Sequence, residues 1–235
     1  MLGRVTGSGK AEFTTQAWHP GMLEDLGDIV TLDGARFRFR EAIPADASAL
    51  RDALLRGMRA SLELLPRGEG GVEWVRGVIE DMRPRHLANF RRFLDDIAQG
   101  TGRRKIFVAM DGKGELAGFT QLDVCADAGG GVYGQMEAWV IEPQYSSRAT
   151  RYVGRSLAAS LMDAAKLYAV ASGAHRLESN TTKGLPSEAA HLRQGYEPRP
   201  GLYPTPALWL ENGCRPDVGA QMRLTWTIPS ILAVR

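Results

Sequence analysis

Residues 142–170 read EPQYSSRATRYVGRSLAASLMDAAKLYAV. They follow the apolar run Trp139-Val140-Ile141. Val153, Leu157, Leu161, Ala164 and Tyr168 recur at helical spacing and predict a helix from about Thr150 to Ser172 with that face on a sheet. Arg148, Arg151 and Arg155 crowd the start of this helix, around Gly154. Helix starts favour acidic residues, because the backbone dipole is positive there. Cations at that end make sense when something strongly negative must sit beside them. The first N–H groups of a helix have no internal acceptor and can point at an anion. The dipole adds about 0.3–1 kcal/mol at an exposed site and up to about 2 kcal/mol when partly buried. Gly154 and the small Ser156 would let a pyrophosphate approach the backbone, with Arg151, Arg155 and Arg148 neutralising it. The plain alternative is a set of solvated arginines.

Around this stretch the period of the sequence changes several times. Arg36-Phe37-Arg38-Phe39-Arg40 alternates and predicts a strand. Pro44 and Asp46 open a helix through about Leu65, with Ala49, Leu50, Ala53, Leu54 and Met58 on one side. A break at Pro66–Gly71 precedes a helical stretch over about 72–98, interrupted near Pro84. Lys105–Met110, Glu115–Cys125 and Val132–Ile141 read as strands joined by glycine turns. After the helix, stopped by Gly173, come a strand at His175–Asn180, a short helix from Pro186 to near Gly195, and strands at Leu208–Leu210 and Gln221–Ile228. Pro198, Pro200, Pro204 and Pro206 predict a stiff, irregular connection between them. The order predicts one mixed α/β domain over 36–235, with a mostly antiparallel sheet and flanking helices. Residues 1–35, without sustained period, read as an arm or extension.

The totals narrow the function classes. A chain of 235 residues with net charge +2 does not announce nucleic acid or membrane as a partner. Cys125 and Cys214 have no paired spacing, so a reducing cytoplasm is the expected location. No apolar run reaches the roughly 18–20 residues needed to span a bilayer. His19, His86 and His175 form no metal-ligand spacing with each other or with the cysteines, and no metal is expected. Two phosphate-binding look-alikes fail. In Thr6-Gly7-Ser8-Gly9-Lys10 the leading glycine would fall at Arg4, and Ala11 replaces the hydroxyl residue that holds magnesium. Gly112–Ala117 has the spacing of a dinucleotide motif but strands on both sides, where a following helix is required.

Ile141-Glu142-Pro143 followed by Arg151-Tyr152-Val153-Gly154-Arg155-Ser156 and a long helix resembles the acetyl-CoA-binding motif of the GNAT superfamily of N-acetyltransferases. His191-Leu192-Arg193-Gln194-Gly195-Tyr196 stands in the register of that family's later tyrosine-and-glycine signature. The resemblance covers most of the chain beyond residue 35. It departs in the length from Pro143 to Arg151, in Ser156 at the third small position, in Gly184 where the family often has asparagine, and in His191 where it often has tyrosine.

The resemblance implies a GNAT-like fold and transfer of an acetyl or other acyl group from acetyl-CoA to a primary amine by direct attack. It places the cofactor on Val140, Ile141, Arg148, Arg151, Tyr152, Val153, Gly154, Arg155 and Ser156. A lysine-like amine is neutral only about once in 2,500 molecules at pH 7, equivalent to roughly 4.6 kcal/mol, so a general base is valuable. Glu137 is the candidate base, with Asp123 as runner-up. His191 is the candidate acid for the leaving thiolate, with Tyr196 and Tyr152 as substitutes.

Two other functions fit the same fold. One is a non-catalytic acyl-CoA sensor or interaction protein, suggested by the altered acid and asparagine positions. The other is an acyltransferase acting on a protein or a nucleic-acid base. Arg36–Arg40, whose plain reading is the solvated outer face of a strand, and Arg83, Arg85, Arg91, Arg92, Arg103 and Arg104 lend this reading limited support. The expected acceptor is a small-molecule amine. Trp74, Tyr203, Trp209 and Glu211 are candidates for its pocket, and the long 36–104 region for a substrate cleft or a homodimer contact.

Overall fold

The computed structural model describes residues 19–27, 29–62, 71–100, 104–146, 149–183, 185–203 and 221–228. The elements are β1 (Ile29–Val30), β2 (Arg36–Glu41), α1 (Ala47–Leu62), α2 (Gly71–Ala98), β3 (Arg104–Met110), β4 (Leu116–Ala126), β5 (Val132–Ile141), α3 (Leu157–Ala171), β6 (Arg176–Thr182), α4 (Pro186–Arg193), β7 (Glu197–Tyr203) and β8 (Gln221–Thr227). The strands form one sheet in the order β1-β2-β3-β4-β5-β6-β8-β7. Every neighbouring pair is antiparallel except β5 with β6.

The alternation along the strands divides the core between two faces. Phe37, Phe107, Leu122, Met136 and Leu177 meet Leu161, Ala165 and Tyr168 of α3 on one face. Ile106, Val108 and Phe119 meet Leu50 and Ala53 of α1 and Phe90 and Leu94 of α2 on the other. Both helical layers bury fully apolar side chains, the main favourable term in folding.

The centre of the sheet carries one irregularity. Leu122 pairs with Met136, but Gln121 pairs with Ala138. Glu137 is therefore an extra residue in β5, a β-bulge, which bends the strand and increases its twist. The parallel pairing of β5 with β6 covers only Gly134–Met136 against Leu177–Ser179 and stops at the bulge. Beyond it β5 runs on to Ile141 and β6 to Thr182 without pairing to each other. The sheet thus opens into a wedge between its two central strands.

Four expectations need correction. Helix α3 begins at Leu157 rather than near Thr150, so Arg151 and Arg155 lie in a loop, and Val153 is 60% exposed instead of facing the sheet. Helix α2 continues through Pro84. The proline is exposed, so the carbonyl it deprives of a partner, that of Glu80, can face water. Pro198 and Pro200 lie inside strand β7 rather than in an irregular connection. This is tolerated because β7 is the edge of the sheet, where a missing N–H breaks no second ladder. Ala49 is exposed, and Ala47 takes its place in the core. The strand expected at Leu208–Leu210, the break at 66–70 and the tract Thr6–Lys10 lie outside the described residues.

Residues 19–35, expected as part of an arm, pack on the domain. Met22, Leu23 and Ile29 are buried, and Leu23 and Ile29 join the core on the α3 face. Thr31 bridges to Tyr152. Leu32 N–H donates to the Arg151 carbonyl at 2.9 Å, and Val153 N–H to the Val30 carbonyl at 2.8 Å. This segment holds down the arginine-rich loop.

Candidate active site

The loop from Glu142 to Ser156 is long because it is built around its own aromatic residues. Tyr145 packs edge-on to Phe37 at 5.0 Å, and Tyr152 lies 6.2 Å from the same ring. The Tyr152 hydroxyl donates to the Tyr145 carbonyl, and the Tyr145 hydroxyl to Asp111 at 2.7 Å. Glu142, 4% exposed, is clamped by Arg56 of α1 at 2.6 and 3.0 Å. Neither Glu142 nor Arg56 is legible as functional in the sequence, because their pairing spans 86 positions.

The loop then delivers the chain to a helix start. Gly154 has φ of +80°, a left-handed conformation that glycine adopts without steric cost. A Cβ there would meet nothing within 4 Å, so this side of the turn is open. Ser156 is the N-cap, and its hydroxyl accepts from Ala159 N–H at 3.3 Å. Among the described residues, the N–H groups of Gly154, Arg155, Ser156, Leu157 and Ala158 have no acceptor. A run of unpartnered donors with the helix dipole behind it suits a diphosphate.

The arginines divide differently from the expectation. Arg151 is exposed in the loop. Arg155 is turned away from the helix start and pairs with Asp163 at 2.5 Å. Arg148 and Gly184 lie outside the described residues, as do Trp209 and Glu211. Val140 and Ile141 are half-buried on the part of β5 that pairs with β4 but no longer with β6, at the edge of the wedge.

Glu137 projects from the bulge on the α1–α2 side of the sheet. Its surface is exposed, yet enough protein crowds the carboxylate to matter. Desolvation, and then the charge of Asp123, raise its pKa above the ordinary value, against a lowering pull from Arg104. Asp123 itself is held by Arg104 in a two-pronged ion pair, with the guanidinium 3.7 Å from the Phe93 ring. That leaves Glu137 as the freer carboxylate.

The acid candidates are all occupied. His191, 4% exposed in α4, lies 2.7 Å by Nδ1 from the Ser187 carbonyl. A carbonyl only accepts, so Nδ1 carries the proton, and Nε2 accepts from the Ser179 hydroxyl at 2.9 Å. Burial lowers the pKa of the imidazole, partly offset by the Ser187 bond. Tyr196 is buried with its hydroxyl 3.3 Å from the Met162 sulfur, and burial raises its pKa. Burial pushes the Tyr152 phenol up to about 12. Glu137 and His191 lie toward opposite faces of the wedge. Trp139, edge-on to His191 at 5.0 Å, donates from its indole to the Ala158 carbonyl of α3 at 3.1 Å. Trp139 thereby ties the wedge to the start of α3, a role its place in an apolar run does not signal.

Three of the arginines that suggested nucleic acid are engaged in ion pairs. Arg40 pairs with Asp46 at 2.6 Å, Arg83 with Glu80 at 3.0 Å and Asp52 at 3.3 Å, and Arg104 with Asp123. Among the described residues, no helix is long and apolar enough to cross a membrane.

No protein-family model matches the chain, and no curated protein matches it. Solved structures do. The PaiA N-acetyltransferase of Thermoplasma acidophilum in complex with coenzyme A superposes with a TM-score of 0.59 at 9% identity, covering 82% of this chain and 99% of that one. A GNAT-family acetyltransferase of Streptococcus pneumoniae gives a TM-score of 0.54 at 20% identity over 82% and 99%. The ribosomal-protein-S5-alanine acetyltransferase of Vibrio fischeri gives 0.52 at 12% identity over 81% and 92%. At such identities the likeness is one of fold: the chain has the mixed α/β architecture of the GNAT acetyltransferases.

Proposed function

We propose that the chain is an acyl-CoA-dependent N-acyltransferase that moves an acetyl group from acetyl-CoA to a primary amine, with a small molecule as acceptor. The observation that carries this reading is the wedge where β5 leaves β6, set beside a helix start with unpartnered N–H groups. A neighbour of the same fold is a coenzyme A complex, which supports the choice of acyl donor.

The acyl donor, when bound, supplies the thioester. The chain's own residues do the rest. The N–H groups of Gly154–Ala158 hold the diphosphate, helped by Arg151. The free edge of β5 at Val140 and Ile141 offers backbone groups to the amides of an extended arm and to the developing oxyanion. Glu137, with a raised pKa, takes the proton of the attacking amine directly or through one water, and as the C–S bond breaks coenzyme A leaves as the thiolate and takes its proton from solvent. His191 is read as a positioning residue. Its neutral ring has no proton to give from Nε2, and it fixes Ser179 at the mouth of the wedge and Trp139 across it.

A second reading keeps the donor site and drops transfer. The observation in its favour is that His191, Tyr196 and Tyr152 are all buried or bonded, leaving no free proton donor among those candidates. Release of free thiol from acetyl-CoA in the presence of an amine panel separates the two. Amine-dependent release supports the enzyme. Binding of coenzyme A without release favours the sensor, and no binding removes both. Strongly salt-dependent binding to DNA or RNA would revive a nucleic-acid acceptor.

A further inference from the structure

Arg155 precedes helix α3 but does not serve its start. The Arg155–Asp163 pair lies beside a residue six positions into the helix, about 9 Å along the axis at 1.5 Å per residue. Asp163 is 6% exposed, whereas the Arg155 side chain is 54% exposed. The dependence is thus unequal. A buried carboxylate is costly without a partner, while a half-exposed guanidinium can be solvated in many positions.

Among the described residues, the charged groups acting on Asp163 are Arg155 from the loop and Lys166 from its own helix. Lys166 is otherwise committed. It is buried, donates to the Gln194 carbonyl at the end of α4 at 2.6 Å, and lies 4.6 Å from the Trp226 ring.

We propose that Arg155 has two mutually exclusive anionic partners: Asp163 in the free protein and the diphosphate of the acyl donor in the complex, with Asp163 taking up a proton as the guanidinium leaves. This rests on the coenzyme A reading of the helix start. Asp163 is then an affinity-setting positioning residue, which holds Arg155 off the site at alkaline pH and releases it at acid pH. Burial already pushes the Asp163 carboxyl up to about 6, against the pull of Arg155 and then of Lys166. Removing Arg155 takes away the larger pull, so the carboxyl binds a proton more readily in the complex. Donor affinity therefore rises as pH falls toward 6.

The test is calorimetric titration of the full chain with coenzyme A, in buffers of different ionisation enthalpy, from about pH 5.5 to 8.5. Because coenzyme A carries its own titrating phosphate, the quantity read is the difference in protons taken up between wild type and D163N. The expected result is greater uptake by wild type at about pH 6.5–7. D163N should bind roughly tenfold tighter at about pH 8, with the two converging at about pH 5.5. Equal proton counts, or weaker binding by D163N, would overturn the proposal. If D163N does not fold, R155Q replaces it: the extra uptake should disappear with the arginine, and unchanged uptake sinks the idea. Absence of coenzyme A binding in the wild type is a different result, which overturns the functional reading itself and this proposal with it.

Discussion

At the scale of single residues, Glu137 carries the sharpest expectation. Glu137→Gln keeps the size and removes the base, so the transfer rate should fall by about 10²–10⁴-fold while coenzyme A affinity, read by calorimetry, stays unchanged. The pH profile gives an independent check. Glu137 must be ionised to act, so activity rises with pH through its raised pKa, and the acid limb lies above the 4.5 of an ordinary glutamate. Arg104→Gln removes the charge that pulls this pKa down and leaves the Asp123 carboxylate that pushes it up. The acid limb should therefore move to higher pH. A limb that stays in place in a folded variant argues that another group is the base.

Among the elements, the start of α3 and the patch where β5 meets β6 are the two that build the site. Ser156→Ala removes the cap and should cost about 1 kcal/mol of stability in a denaturant titration. Gly134→Val should cost more. A Cβ at Gly134 would sit 2.7 Å from Leu177 Cδ1 and 3.2 Å from Leu122 Cδ1, inside the short parallel ladder. The result expected is a lower melting temperature together with weaker coenzyme A binding. Much of this was legible in the sequence. Alternation marked β2, glycine turns bounded the runs that became β3 to β5, 3.6-residue spacing marked the body of α3, and Gly154 with Ser156 marked its entry. The start of α3 was misjudged because Val153 falls on the apolar helical spacing, while its own N–H is taken by Val30 in a segment with no periodic signal. The bulge at Glu137 was not legible either. It has no glycine to flag it and becomes visible only in the register against β4.

For the molecule as a whole, two long-range effects can be measured. A chain that begins at residue 36 loses the burial of Met22, Leu23 and Ile29, each worth about 1.5–3 kcal/mol as an upper estimate. It also loses the hydrogen bonds that pin residues 151–153. Both its melting temperature and its coenzyme A affinity should drop. The second effect is on the pH dependence of stability. Burial holds Asp163 near 6, above its unfolded 3.8, so the folded state binds the extra proton and stability falls as pH rises from about 4 to 6. Burial holds Lys166 near 8, below its unfolded 10.5, so stability rises again from about pH 8 to 10.5. Lys166→Met should flatten the alkaline slope, and Arg155→Ala should destabilise more at pH 8 than at pH 5.5, because it strands an ionised Asp163. The Arg155–Asp163 ion pair was invisible in the sequence, where Arg155 reads as a contact to the diphosphate and nothing singles out Asp163.

The extra residue in β5 also sets up an unusual genetic situation. Met136 pairs with Leu122 and Ala138 with Gln121, so excising one codon, that of Glu137, would leave every flanking side chain on the face it already occupies. Such a deletion should straighten the strand and extend the β5–β6 pairing past Met136, with loss of activity at an unchanged melting temperature as the outcome expected. A lineage of this protein could lose its chemistry in one in-frame event and keep a folded scaffold, free to drift toward other duties.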